Sequence, residues 1–286
     1  MRIFIPMTGK ELMRKKVFLI AVVMTVLFLG LFAYAISQIA AEQEITNLIT
    51  RYAYGTMALS VGLFFAHMIV AFIVFFSTMG AISSEIESGL MYAIVPRPLG
   101  RWKIYLGKWI GFSVWSLMYS AVIFISIVWI VHWQLQFPIN LGSIGRAFLL
   151  FEFIPLILVA VSLLGSIFLP TLGNGVASAL LFGLSIFGGM LERIVFISSQ
   201  MREAVVSGIE RFGLITSLLM PTDSIYRRMT YELSGGLDLP LGREAINIMG
   251  PFANPVVPSI AFVWYSLVYL IILLGLGCRY FSRKDI

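Results

Sequence analysis

Three ionisable side chains fall inside or against long apolar runs: Glu152, Glu192 and Arg193. A charge placed there costs free energy unless it is paired, hydrated or put to use. Two carboxylates and a guanidinium near the ends of such runs could line a polar path or gate, or answer an ion gradient. They could equally sit at headgroup depth or pair with one another for structure. His67 lies mid-run beside Phe64, Phe65 and Phe72; a helix-to-helix hydrogen bond suits it better than a ligand role. A second dense set occupies residues 82–108, ISSEIESGLMYAIVPRPLGRWKIYLGK. It holds Glu85, Glu87, Pro96, Pro98 and four cations between two apolar runs.

Neither set amounts to catalytic machinery. There is no G-x-x-x-x-G-K-[ST] phosphate loop, H-E-x-x-H, G-x-S-x-G or C-x-x-C in the chain, so no motif holds ATP or builds a hydrolytic centre. The one cysteine, Cys278, cannot form an internal disulfide, and two histidines supply no clustered zinc site. If ATP drives this protein, it sits on a partner.

The elements that position these residues follow from composition. Of 286 residues 59% are hydrophobic and only 12% charged, and the mean hydropathy is +0.96. Soluble domains carry about a quarter charged residues, so this chain lacks the polar groups to cover a water-facing surface. It reads as an all-α integral membrane protein. The net charge of +6 belongs with loops and anionic headgroups, not with nucleic acid.

A spanning helix needs about 20 mostly apolar residues. Six stretches qualify: Val17–Ile39, Thr56–Ile82, Trp109–Val131, Ala147–Leu169, Val176–Ile197 and Ser259–Cys278. The first three contain no Asp, Glu, Lys or Arg. The first is too long for the apolar region of a cleaved leader. Segments 1–16, 83–108, 170–175 and 279–286 together hold 12 of the 20 Lys and Arg residues, against 7 in 40–55, 132–146 and 198–258. By the positive-inside rule both termini are cytoplasmic in the cell membrane. The whole chain, 1–286, is then one transmembrane domain.

Residues 1–16 suit an interfacial helix or a plain basic anchor. Residues 198–258 form a long outer segment in which Phe212–Met220 is apolar but too short to span. A re-entrant or outer-leaflet helix fits there, with a break at Pro221-Thr222-Asp223 before another short helix. Small residues four apart, Ala179/Gly183, Ser185/Gly189 and Ser162/Ser166, suit close packing of helices within the chain or against a second copy.

Within 82–95, Ile82, Ile86, Leu90 and Ile94 recur every fourth residue. That spacing predicts a short helix with one apolar stripe, ending near Val95 because Pro96 and Pro98 disfavour its continuation. Such a helix can lie on the membrane surface as a connector, or dock into another protein's groove.

The run Glu85-Ile86-Glu87-Ser88-Gly89-Leu90, then Arg97-Pro98-Leu99-Gly100-Arg101, then Gly107-Lys108, resembles the signature of type-2 ABC (ATP-binding-cassette) permeases. Lys10-Glu11 before the first span and the basic ending Phe281–Ile286 are similar to the family as well. The chain departs from its pattern at Leu90, where a threonine is usual, and at Gly100, where a serine is common.

The resemblance implies that 83–108 contains a coupling helix seated in a cytoplasmic P-loop ATPase. Glu85, Gly89, Leu90, Arg97 and Arg101 would make the contact, and Pro96 and Pro98 would stiffen the turn. It implies a dimer of permeases, identical or homologous, with two ATPase subunits that bind ATP and Mg. Membrane lipid is a further partner, residues 198–258 could receive an accessory outer protein, and export is the implied direction. Two alternatives stand beside it: an ion-coupled transporter or channel using Glu152, Glu192 and Arg193, and a membrane anchor or sensor that binds an ATPase but moves nothing.

Overall fold

The computed structural model describes residues 6, 8–9, 16–41, 48–89, 100–138, 140–197, 203–233 and 257–284. Its elements in chain order are α1 Lys16–Ala41, α2 Leu48–Thr78, α3 Ser83–Glu87, α4 Arg101–Leu135, α5 Leu141–Phe168, α6 Thr171–Ile197, α7 Glu203–Leu219, α8 Thr222–Leu233 and α9 Ile260–Arg283. No strand occurs among the described residues. In hydrocarbon the backbone must satisfy its own polar groups, which a helix does within one segment. Six helices, α1, α2, α4, α5, α6 and α9, are long and apolar enough to cross a membrane.

Two ends of the bundle can be told apart by contacts between its connections. At the α3 end, Ser83 Oγ lies 3.0 Å from Thr171 Oγ1, and Arg101 Nη1 donates to the Lys284 carbonyl at 2.7 Å. At the far end, Arg51 Nη1 donates to Gln136 Oε1 at 2.7 Å. The helix α5 is the hub, packed against α2, α4, α6, α8 and α9. The helices α1 and α9 are peripheral and expose Leu19, Val26, Leu31, Trp264 and Ile271, as lipid-facing surfaces should.

Two of the boundaries that differ from the sequence expectation matter for the site. The helix α4 begins at Arg101, not Trp109, because Lys and Arg are good helix formers and no proline follows Pro98 before the span. The cationic stretch 101–108, expected as a connection, is thus the first two turns of that span. The helix α5 begins at Leu141, capped by Asn140 Oδ1, which accepts from Gly142 N at 3.0 Å. Glu152, expected one turn inside its span, therefore lies about 16 Å from the helix start at 1.5 Å per residue.

The helices α7 and α8 form a hairpin that dips into the bundle. The helix α7 runs against α6, and α8 against α5, meeting at Met220 and Pro221. Ser185 Oγ donates to the Met220 carbonyl at 2.5 Å, and Ser185 is about 18 Å along α6 from Ile197 at 1.5 Å per residue. Tyr265 and Tyr269 of α9 donate to the Leu218 and Leu219 carbonyls, each at 2.7 Å. Three carbonyls that end α7 are so satisfied from neighbouring spans, which irregular backbone at membrane depth demands.

Candidate functional site: a capped helix break and a buried charge cluster

The helix α2 stops at Thr78 and α3 begins at Ser83, leaving a turn of four residues, Met79 to Ile82. Its backbone groups are met by side chains from three different spans. Asn174 of α6 donates Nδ2 to the Met79 carbonyl at 2.8 Å. Ser166 Oγ of α5 accepts from Ile82 N at 2.9 Å, and Lys108 Nζ of α4 donates to the Ala81 carbonyl at 2.6 Å. One turn earlier, Thr78 Oγ1 donates to Ser162 Oγ at 2.8 Å. The side chains of Thr78, Lys108, Ser162, Ser166 and Asn174 are all buried, so the break is a fixed turn, not a loose linker.

Beyond the break, Glu85 turns inward: its Oε1 lies 2.6 Å from Lys108 Nζ, with 18% of the side chain exposed. Gly89 adopts φ 75°, a left-handed conformation natural to glycine at a helix end. Within the stretch 82–95 expected as one helix, α3 accordingly ends at Glu87. Leu90, Pro96, Arg97 and Pro98 lie outside the described residues. Arg101 caps the α9 terminus through Lys284, whose own Nζ donates to the Ile167 carbonyl.

A charge cluster lies where α6 meets α8. Arg193 Nη2 is 3.1 Å from Asp223 Oδ1, Arg227 Nε is 3.0 Å from Asp223 Oδ2, and Arg227 Nη1 binds Glu192 Oε2. Two cations and two anions thus neutralise each other, and Arg193 and Asp223 are almost wholly buried. Tyr226, one turn after Asp223, donates its hydroxyl to the Ser60 carbonyl of α2 at 2.6 Å. His67 stacks on Tyr226 at 5.8 Å and meets Phe182 edge-on at 5.0 Å. Among the described residues neither of its ring nitrogens has a hydrogen-bond partner, contrary to the helix-to-helix bond expected. Aromatic rings from α6 and α8 reach the imidazole first.

Glu152 is apart from this cluster. Its Oε2 accepts from Ser120 Oγ of α4 at 2.7 Å, so it belongs to the α4–α5 seam. The three residues expected at one gate or path therefore divide into two places. Sequence reading placed Asp223 only at a helix break and passed over Arg227 and Asn174; the i,i+4 spacing of Asp223 and Arg227 was the available signal.

Between α2 and α6 lies an apolar cleft of about 350 Å³, lined by Phe72, Phe75, Phe76, Val176, Ala179 and Phe182 among others. Ala179 lines it, while Gly183 faces open space. The other small-residue pairs are consumed inside the chain. Ser162 and Ser166 face the break, Ser185 holds Met220, and Gly189 abuts Asp223.

The family described as ABC-2 family transporter protein matches residues 9–286. This chain belongs to that family. Among curated proteins none matches it. The six apolar spans are thus those of an ABC-2 permease, a multi-pass membrane subunit generally without catalysis of its own. Membership also implies association with an ATPase subunit. Among the described residues, Glu85, Gly89, Arg101 and Lys108 of the ABC-2 resemblance lie at the α3 end, where the capped break lies.

Proposed function

We propose that this ABC-2 permease is one membrane half of an exporter in the cell membrane, with both termini and α3 on the cytoplasmic side. Two permeases, identical or homologous, form the path. Two P-loop ATPase subunits supply the ATP and Mg site. Gly89, Leu90, Arg97 and Arg101 make the ATPase contact, with Glu85 at its inner edge and Pro96 and Pro98 stiffening the turn.

The observation that carries this reading is the break at 79–82. A displacement of α3 cannot be absorbed there, because Lys108, Ser166 and Asn174 tie its backbone to three spans at once. Closure of the ATPase pair around ATP thereby favours one arrangement of the spans over another. The apolar cleft between α2 and α6 is suited to the hydrophobic part of an amphipathic or lipid-like cargo. Glu192 and Arg193, on which an ion-coupled mechanism would draw, are neutralised within the chain. The outer segment 198–258, whose residues 203–233 form the dipping hairpin, is where an accessory protein would bind.

The test is tagged purification from gently solubilised native membranes, with mass spectrometry of what remains bound. A P-loop ATPase is expected with the natural chain and is lost from a Leu90→Ala, Arg97→Ala variant that inserts normally. No ATPase with the natural chain, under conditions that keep other membrane complexes intact, removes the coupling reading.

A further inference from the structure

We propose that Lys108 is the positioning residue through which motion of α3 enters the third span, with Glu85 as its partner. This rests on the coupling reading above and assigns the transmitting contact within it. Lys108 lies two turns into α4 and is 8% exposed. Its Nζ holds the Ala81 carbonyl inside the break and the Glu85 carboxylate beyond it, each at 2.6 Å. It therefore binds the bend and the helix after the bend at the same time.

The chemistry suits transmission better than it suits stability. Desolvating an ammonium and a carboxylate offsets most of their attraction, and apolar packing of the same volume holds helices together as well or better. Apolar packing, however, tolerates several registers of α3 against α4. A point charge that must meet one carbonyl and one carboxylate accepts a single register, and loses both partners when that register slips.

From Lys108 the helix α4 continues to Leu135, about 40 Å at 1.5 Å per residue. It packs on α2, α5, α1 and α9 along the way. What Lys108 takes from α3 is delivered by one stiff rod to the far end.

The experiment uses the permease with its co-purified ATPase in lipid nanodiscs, in a Cys278→Ser background. Spin labels are placed at Ser88 and Leu172 to read the α3 end, and at Trp133 and Leu214 to read the far end; all four positions are exposed. Distances are measured without nucleotide and after trapping with ATP, Mg and vanadate. In the natural chain both pairs shift on trapping. In Lys108→Met the α3-end pair still shifts, while the far-end shift falls about fivefold, the scale for removing one link in a coupling network. Lys108→Arg, which keeps charge and donors, restores it.

A full far-end shift in Lys108→Met overturns the inference and leaves the coupling reading standing. If the natural chain shows no shift at the α3 end, the coupling reading itself fails. Should Lys108→Met not insert, Glu85→Gln removes the ion pair with little change of shape and carries the same expectations.

Discussion

Arg193, near the end of the fifth span, lies 3.1 Å from Asp223 Oδ1 in the dipping hairpin, and both side chains are almost wholly buried. The second carboxylate oxygen is held by Arg227, 3.0 Å away and four residues later. One carboxylate thus joins a span to the hairpin. Asp223→Asn leaves two buried guanidiniums short of a charge, and its expected cost is about 3–5 kcal/mol. The double change Asp223→Leu, Arg193→Met is expected to cost less than the sum of its singles. Thermal unfolding in detergent checks both; equal stability of Asp223→Asn and the natural chain would sink the idea.

Gly189 and Gly183 give a paired prediction on one helix. A Cβ on Gly189 would overlap the Asp223 carboxylate, which two guanidiniums hold in place; on Gly183 it would meet nothing within 4 Å. Gly189→Ala is expected to destabilise by about 1–3 kcal/mol. Gly183→Ala is expected to be neutral or to stabilise by up to about 1 kcal/mol through helix propensity. The same unfolding measurement decides, and a reversed order refutes the packing described.

Glu232 predicts an acid-sensitive contact between α5 and the hairpin. Burial raises its pKa, but hydrogen bonds and charge from Arg146 and Arg228, each 2.7 Å away, prevail and hold it below the ordinary 4.5. A depressed pKa means that the contribution is present above pH 4.5 and is lost as pH falls through the lower, folded value. The natural chain is expected to lose more stability than Glu232→Gln on acidification from about pH 6 to about pH 3. Parallel melting curves across that range would show that the ion pairs contribute nothing.

Asn174 caps the break from α6. Asn174→Leu removes a wholly buried donor and leaves the part-buried Met79 carbonyl without that partner. The expected cost is about 1–3 kcal/mol. Hydrogen exchange reads it locally: amides of 79–84 should exchange faster, while those of the hairpin stay as they were. Unchanged exchange at the break would mean that Asn174 is a bystander.

Much of the fold was legible because lipid imposes a length and a composition on each span separately. Trp109–Val131 was recognisable without knowing what it packs on. Its true start at Arg101 was not, since Lys108 looks like a loop residue until a carbonyl and a carboxylate are brought to it. The four-residue spacing from Ile82 to Ile94 likewise reads as one helix. Gly89 ends that helix through a left-handed φ that many glycines never adopt. His67 shows the limit most plainly: its partners are rings from residues 182 and 226, set by how α6 and α8 pack.

The sequence alone determined that this chain crosses the membrane six times as helices and carries an ABC-2 signature. Those properties are local, written in runs of apolar residues and in short motifs. Only the tertiary structure decided that Glu85 faces Lys108, that Arg193 and Arg227 share Asp223, and that Glu152 stands apart with Ser120. Most of these partners are tens of residues apart. Helix packing, not spacing, brings buried charges to the counter-charges that make their burial tolerable.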